Sequence, residues 1–319
     1  MSEALSIKPL LESYAKPKFP PAVVLALGIL SASTASLFIR FAQRDIPSIV
    51  IAAYRLGLAT LLLTPVVLIR YRKELLSLTR RQVLLLCISG VFLAFHFAAW
   101  ITSLQYTTVA ASVVLVTTTP LWVAILSPLI LKERSDKTIW IGLLIALVGG
   151  TVVTIGQSCS VQAGHLQCPP LAQFVRAENF LGNMLALLGA WMATGYLMIG
   201  RRLRSSMALT SYIYVVYGAA AVVLLGMVAI SGEKMFGYSP VSYLYCLALA
   251  VIPQLFGHTA YNWALKYLSA VYVSISLLGE PVGSTILALL LLNETPTILE
   301  LAGGVLILGG IYLASRNKT

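Results

Sequence analysis

The sequence predicts an all-α integral membrane protein of ten transmembrane helices in two inverted five-helix repeats, with N- and C-termini cytoplasmic. Three observations predict it. Apolar runs of membrane-spanning length recur along a chain that is 59% hydrophobic and 10% charged, with mean hydropathy +0.89. A soluble domain carries roughly 25% charged residues, and such runs cover the roughly 30 Å hydrocarbon core at about 1.5 Å per residue. Basic residues lie mostly between alternate runs, and the two halves of the chain repeat one another.

Residues 1–20 are read as a polar cytoplasmic tail with Lys8, Lys16 and Lys18, ending at Pro20-Pro21. No signal-peptide pattern is seen, because the first apolar run is full length and lacks a small-residue cleavage site. Spans follow at about 22–42, 48–69, 82–104, 107–131, 138–156, 180–200, 209–230, 241–264, 270–292 and 297–315. They divide into a first repeat (21–157), an external loop (158–178) and a second repeat (179–316).

The charge balance, +11, would suggest nucleic acid in a soluble chain; here topology explains it. With the N-terminus inside, seventeen of the 22 Lys and Arg residues fall on the cytoplasmic side, and three, Arg44, Arg176 and Lys234, fall outside. Arg40 and Arg55 lie within spans. That bias sets the orientation and favours an even number of spans. Of four cysteines, Cys87 and Cys246 fall inside spans and read as buried small hydrophobes. Cys159 and Cys168 share the external loop with His165 and are a candidate disulfide on the oxidising side. A metal site there has no evident fourth ligand. Asn293-Glu294-Thr295 matches a glycosylation sequon but abuts the membrane and precedes Pro296, so chance explains it.

Laid over the first half so that Arg201 falls on Arg40, the second half places Leu265 on Leu104, Tyr267 on Tyr106, Pro281 on Pro120, Leu292 on Leu131, Glu294 on Glu133, Gly303 on Gly142 and Gly310 on Gly149, all in one register without a gap. Five spans per repeat is odd, so the second copy enters the membrane inverted. Inverted repeats suit alternating access, because two equivalent halves exchange conformations around one central site.

The run SLLGEPVGSTILALLLLNETPTILELAGGVLILGGIYL resembles the C-terminal half of an EamA-type member of the drug/metabolite transporter superfamily. Its first-half counterpart, TTTPLWVAILSPLILKERSDKTIWIGLLIALVGGTVV, resembles the same domain. The resemblance covers about residues 20–316 and implies a ten-helix exporter-like fold, a central cavity lined from both halves, and amino acids and related metabolites as substrates. The first half departs from the pattern, with Thr119 where the second has Glu280.

Intramembrane polar residues are costly and mark candidate sites. Glu280 sits mid-span between Gly279 and Pro281, on one helical face with Ser276 and Ser284. It either exchanges a proton with substrate or supports the backbone freed by Pro281. Arg55, beside Tyr54, pairs with Glu280, binds a substrate carboxylate or snorkels to headgroups. His96 and Trp100 share a face with Ser103; Gln254, His258, Tyr261 and Asn262 form a comparable stripe in the eighth span. Each is a cavity lining or a set of interhelical hydrogen bonds, and the histidines miss strict correspondence by one position. Thr117, Thr118, Thr119 and Trp122 flank Pro120, the threonines satisfying freed carbonyls or a substrate. Pro120 and Pro281 are candidate hinges, and the paired glycines of spans five and ten read as helix packing.

The expected function is secondary transport, as an exporter of small organic metabolites such as amino acids, in the plasma or inner membrane. No ATP-binding motif and no metal or cofactor site is seen; coupling is to protons or to the substrate gradient. The partners are the lipid bilayer and a small-molecule substrate, with no nucleic acid, in a monomer or homodimer. Alternatives are a nucleotide-sugar or sugar-phosphate exchanger, a cationic multidrug exporter, and a non-transporting receptor or structural protein. An enzyme acting on lipid-linked substrates would need intramembrane Asp, Ser-Lys or His clusters that are not seen.

Overall fold

The computed structural model describes residues 17, 19–130, 137–162, 165–204 and 206–315. Lys8, Lys16 and Lys18 of the tail, Lys132, Glu133 and Arg134, and Arg316 and Lys318 lie outside the described residues, as does most of the proposed 1–20 tail.

Among the described residues, nine helical segments are long and apolar enough to cross a bilayer. They are Pro21–Ala42, Ser48–Arg70, Arg80–Tyr106, Val109–Ile130, Trp140–Gln157, Glu178–Arg204, Leu209–Ser231, Pro240–Ala264 and Ala270–Leu292; a shorter apolar helix, Ile298–Leu313, follows. These ten are numbered here as spans 1 to 10. Local chemistry sets their ends. Thr79 accepts from Gln82 N and Gln82 answers to Thr79 N, a capping box opening span 3. Thr108 and Ser269 cap spans 4 and 9, each accepting from the amide three residues on. Asn293 closes span 9 in the left-handed region, φ 57°, which Asn tolerates. Between spans 5 and 6 the chain forms a short antiparallel hairpin, Ser160–Gln162 with His165–Gln167, which the sequence reading did not foresee. Cys159 and Cys168, at its base, are joined by a disulfide. Cys246 is buried as expected, whereas Cys87 is exposed: it lies on the outward apolar face of span 3 with Leu84, Ile88 and Val91.

The repeat is visible in the packing. Span 3 lies on spans 6 and 7, and span 8, its counterpart, on spans 1 and 2; span 4 packs on span 6 as span 9 packs on span 1. Spans 2 and 7, 4 and 9, and 5 and 10 meet their own counterparts. Single bonds repeat as well. Gln43 Nε2 donates to Ile101 O at 2.7 Å, and Arg204 Nε, at the position of Gln43 in the second repeat, donates to Asn262 O, at the position of Ile101, at 3.0 Å.

Spans 5 and 10 cross at glycine, one pair on each side of the pseudo-axis. A Cβ on Gly303 would lie 2.6 Å from Gly149 O and 2.8 Å from Val153 N; a Cβ on Gly310 would lie 2.6 Å from Gly142 O. Backbone cannot yield as a side chain does, so Gly303→Ala is expected to cost about 1–3 kcal/mol through overpacking. Gly309 has nothing within 4 Å of its would-be Cβ, so its pairing with Gly310 in the sequence does not make it a packing residue, and Gly309→Ala is expected to be neutral. Thermal unfolding of the two variants in detergent checks the contrast.

Four spans are not continuous α-helix; the sequence marked bends at Pro120 and Pro281 in spans 4 and 9 but not the interruptions of spans 1 and 8. Span 1 breaks at Thr34, span 4 between Val116 and Thr119, and span 9 between Ser276 and Gly279. Span 8 contains a π-helical stretch, Ala250–His258, around Pro253. The chain from cap Ser239 to cap Ser269 is one residue longer than from Thr79 to Thr108, and the wider π turn absorbs the extra residue.

Candidate functional site

The broken segments converge on one cavity. Pro120 cannot donate to Val116 O; Thr119 Oγ1 does so instead, at 2.9 Å. Thr117 and Thr118 likewise donate to Val113 O and Leu115 O. In span 9, Glu280 N takes Leu277 O at 2.9 Å, the carbonyl Pro281 leaves without its helical donor. Irregular backbone is tolerated at membrane depth where protein or a cavity surrounds it. Ala32 and Ala35 flank the first break, Thr117 and Thr119 the second, Leu277 and Glu280 the third, and all six line the cavity.

The lining is symmetric in position and asymmetric in chemistry. Ala32 and Ala193, Ala35 and Tyr196, Val116 and Leu277, and Thr119 and Glu280 are pairs under the repeat register. Small or neutral residues in the first half thus stand where the second half has a phenol and a carboxylate. Arg55, His96, Trp100, His258 and Tyr261 complete the wall. The cavity holds about 50 Å³, room for a few waters and far below the roughly 300 Å³ of a typical small-molecule pocket. A metabolite enters only if the helices part.

Arg55 is fully buried; its Nε donates to Gln254 Oε1 at 2.8 Å, and its Cζ lies 4.0 Å from the Phe97 ring centroid. Nη1 and Nη2 have no hydrogen-bond partner. Glu280 is half-buried and accepts from Tyr261 Oη at 2.6 Å. It is the one acid lining the cavity among the described residues, and no ion pair within 4.0 Å joins it to Arg55. His96 Nδ1 meets Gly189 O at 2.9 Å, its ring stacks on Trp100, and the His258 ring lies 6.3 Å away, so the one-position mismatch still brings the two imidazoles together.

Other sequence candidates are placed elsewhere. Tyr54 turns from the cavity, donating to Met235 O with its ring edge-on to Tyr243. Thr118 and Trp122 line a separate, mostly apolar crevice of about 260 Å³ among spans 4, 5 and 6, where Trp122 Nε1 donates to Thr118 Oγ1. Asn262 sits behind the wall, its Nδ2 bonded to His258 O. Ser284 donates to Ser33 O, and the break before Gly279 separates Ser276 from Glu280, so the expected serine stripe does not form. Tyr196, which the sequence reading missed, stands out only once the repeat register pairs it with Ala35.

A second polar cluster closes the cavity's neighbourhood on the face that carries the span 3–4 and span 9–10 turns. Arg40 and Glu294 pair at 2.8 Å, and Glu294 Oε2 accepts Val109 N. Glu300 accepts from Thr108 Oγ1, Gln157 Nε2 and Thr297 N. Thr297 and Glu300 form a Thr-x-x-Glu capping box at the start of span 10. On the same face the Ser239 amide, 2.7 Å away, holds the Asp45 carboxyl below its usual range, with help from the Ser242 hydroxyl. That cap is complete above the ordinary carboxylate pKa and is lost as pH falls through the lowered value.

The EamA-like transporter family model matches residues 20–155 and 180–316. The chain is 27% identical over 223 residues to the uncharacterized transporter YdfC of Bacillus subtilis, covering 69% of this chain and 67% of that protein. It is 23% identical over 305 residues to an uncharacterized transporter of Archaeoglobus fulgidus, covering 93% and 97%. Similarity of 23% over 295 residues extends to the pseudopaline exporter CntI of Pseudomonas aeruginosa, covering 92% and 95%. One solved crystal structure superposes with a TM-score of 0.65 at 19% identity, over 94% of this chain and 99% of that one, a likeness of fold. With both halves matched and the bilayer-spanning, two-repeat architecture in place, the chain belongs to the EamA-like transporter family.

Proposed function

We propose that this chain is a secondary transporter that exports small organic metabolites, amino acids among them, by alternating access about the central cavity. The observation that carries the reading is a small cavity lined from both repeats and bordered by three helix breaks, with Arg55 and Glu280 both lining it and not paired to each other. Two fixed opposite charges within one small cavity suit a small polar solute better than a sugar phosphate, which would want several convergent cations, or a lipophilic cation, which Arg55 would repel. In this reading Glu280 exchanges a proton with substrate, Pro120 and Pro281 hinge the two halves, the termini face the cytoplasm of a plasma or inner membrane, and the protein acts as a monomer or homodimer. The name of the pseudopaline exporter supports the outward direction. Purified protein in liposomes, assayed for flux of the twenty standard amino acids with and without a pH gradient, tests it. Flux of at least one, quickened by the gradient, is expected. Binding without flux of any would favour a receptor.

A further inference from the structure

We infer that the cavity takes its substrate as a zwitterion, the carboxylate on the free Nη1 and Nη2 of Arg55 beside Trp100 and Tyr196, and the cationic group on Glu280. The inference rests on reading the central cavity as the transport site and adds the polarity with which the solute lies in it.

Buried polar atoms are almost always paired, and the exceptions call for an explanation. Five of the nine exceptions among the described residues gather here. Arg55 Nη1 and Nη2, Trp100 Nε1, Tyr196 Oη and Gln254 Nε2 are buried without a partner. Arg55, Trp100 and Tyr196 line the cavity, and Gln254 holds Arg55 from behind. All five atoms can donate; the unpaired acceptor Asn262 Oδ1 lies behind the wall beside Tyr196, so the Arg55 fork and Trp100 Nε1 are the donors left without an acceptor, and an anion supplies it. Its shape follows from the guanidinium. Nε is committed to Gln254 Oε1, and one face of the plane lies against Phe97, with Trp100 further off at 5.9 Å. The end-on fork of Nη1 and Nη2 remains, which matches the two oxygens of a carboxylate. Glu280 supplies the opposite requirement. Its Oε1 is held by Tyr261, its carboxylate borders the same cavity, and among the described residues no cation within 4.0 Å neutralises it. A dianion would meet its repulsion and a simple amine would leave Arg55 unpaired. A zwitterion satisfies both ends. Gln254 is a positioning residue: it aims the fork and does not itself line the cavity.

The test uses whichever standard amino acid exchanges best in proteoliposomes, together with its decarboxylated amine and its deaminated acid as competitors in counterflow. In the wild-type protein each analogue is expected to compete at least tenfold more weakly than the zwitterion. Arg55→Lys and Gln254→Leu should weaken competition by zwitterion and acid at least tenfold and leave the amine unchanged; Glu280→Gln should weaken zwitterion and amine and leave the acid unchanged. An analogue that competes with wild type as well as the zwitterion does overturns the inference without recourse to any variant, and leaves the transport reading standing. If no amino acid exchanges, the reading of the cavity falls and takes the inference with it.

Discussion

In proteoliposomes with an imposed pH gradient, Glu280→Gln is expected to reduce gradient-driven flux to that of protein-free liposomes. Counterflow without a gradient should survive within about tenfold, because Gln keeps an acceptor for Tyr261 and loses the charge, a difference of roughly 1.4 kcal/mol. The geometry supports a moving proton over a structural duty. The carbonyl left by Pro281 is taken by the backbone amide of Glu280, so the side chain has no backbone defect to mend. Its partner is Tyr261 Oη, a group that donates to the carboxylate and remains an acceptor for the carboxylic acid. Thr119, at the equivalent place in the first half, already meets Val116 O, which shows how the fold handles this break without an acid. Full gradient-driven flux in the Gln variant would return Glu280 to a structural role.

Glu300→Ala is expected to lower stability by roughly 2–3 kcal/mol and the Tm in detergent by at least about 4 °C. The carboxylate is 4% exposed and receives three donors from three different parts of the chain: Thr108 at the start of span 4, Gln157 at the end of span 5 and Thr297 before span 10. Removing it strands those donors together and undoes the cap of span 10. The exposed Glu233, on the same face, serves as the control, and Glu233→Ala should leave the Tm unchanged. Equal melting of the two variants would show that the polar cluster around Glu300 contributes nothing to holding the spans.

The fold was legible from the chain alone because its signals are long and redundant. Span ends differ only slightly between reading and structure, and glycines read as helix packing do meet across spans 5 and 10, Gly149 with Gly303. What escaped was backbone irregularity. A Pro in an apolar run marks a bend, but Thr34 breaks span 1 with no proline beside it, and the π turn at Ala250–His258 becomes visible only when cap spacings in the two halves are compared. The site was half legible for the same reason. Glu280, Arg55, His96, Trp100, His258, Tyr261 and Thr119 are where intramembrane polarity pointed. Tyr54, Thr118, Trp122 and Asn262 share that polarity but spend it on loops, the neighbouring crevice or the back of the wall, and which way a side chain turns depends on partners the sequence does not reveal.

In the function proposed above, one cavity serves both sides of the membrane in turn. Ala193, the repeat partner of Ala32, lines it, and a thiol there adds little bulk. In an Ala193→Cys protein carrying Cys87→Ser and Cys246→Ala, a membrane-impermeant thiol reagent applied separately to right-side-out and inside-out vesicles should label Cys at this position from both faces, and substrate should slow labelling from each. Labelling confined to one face, or absent from both, would contradict alternating access.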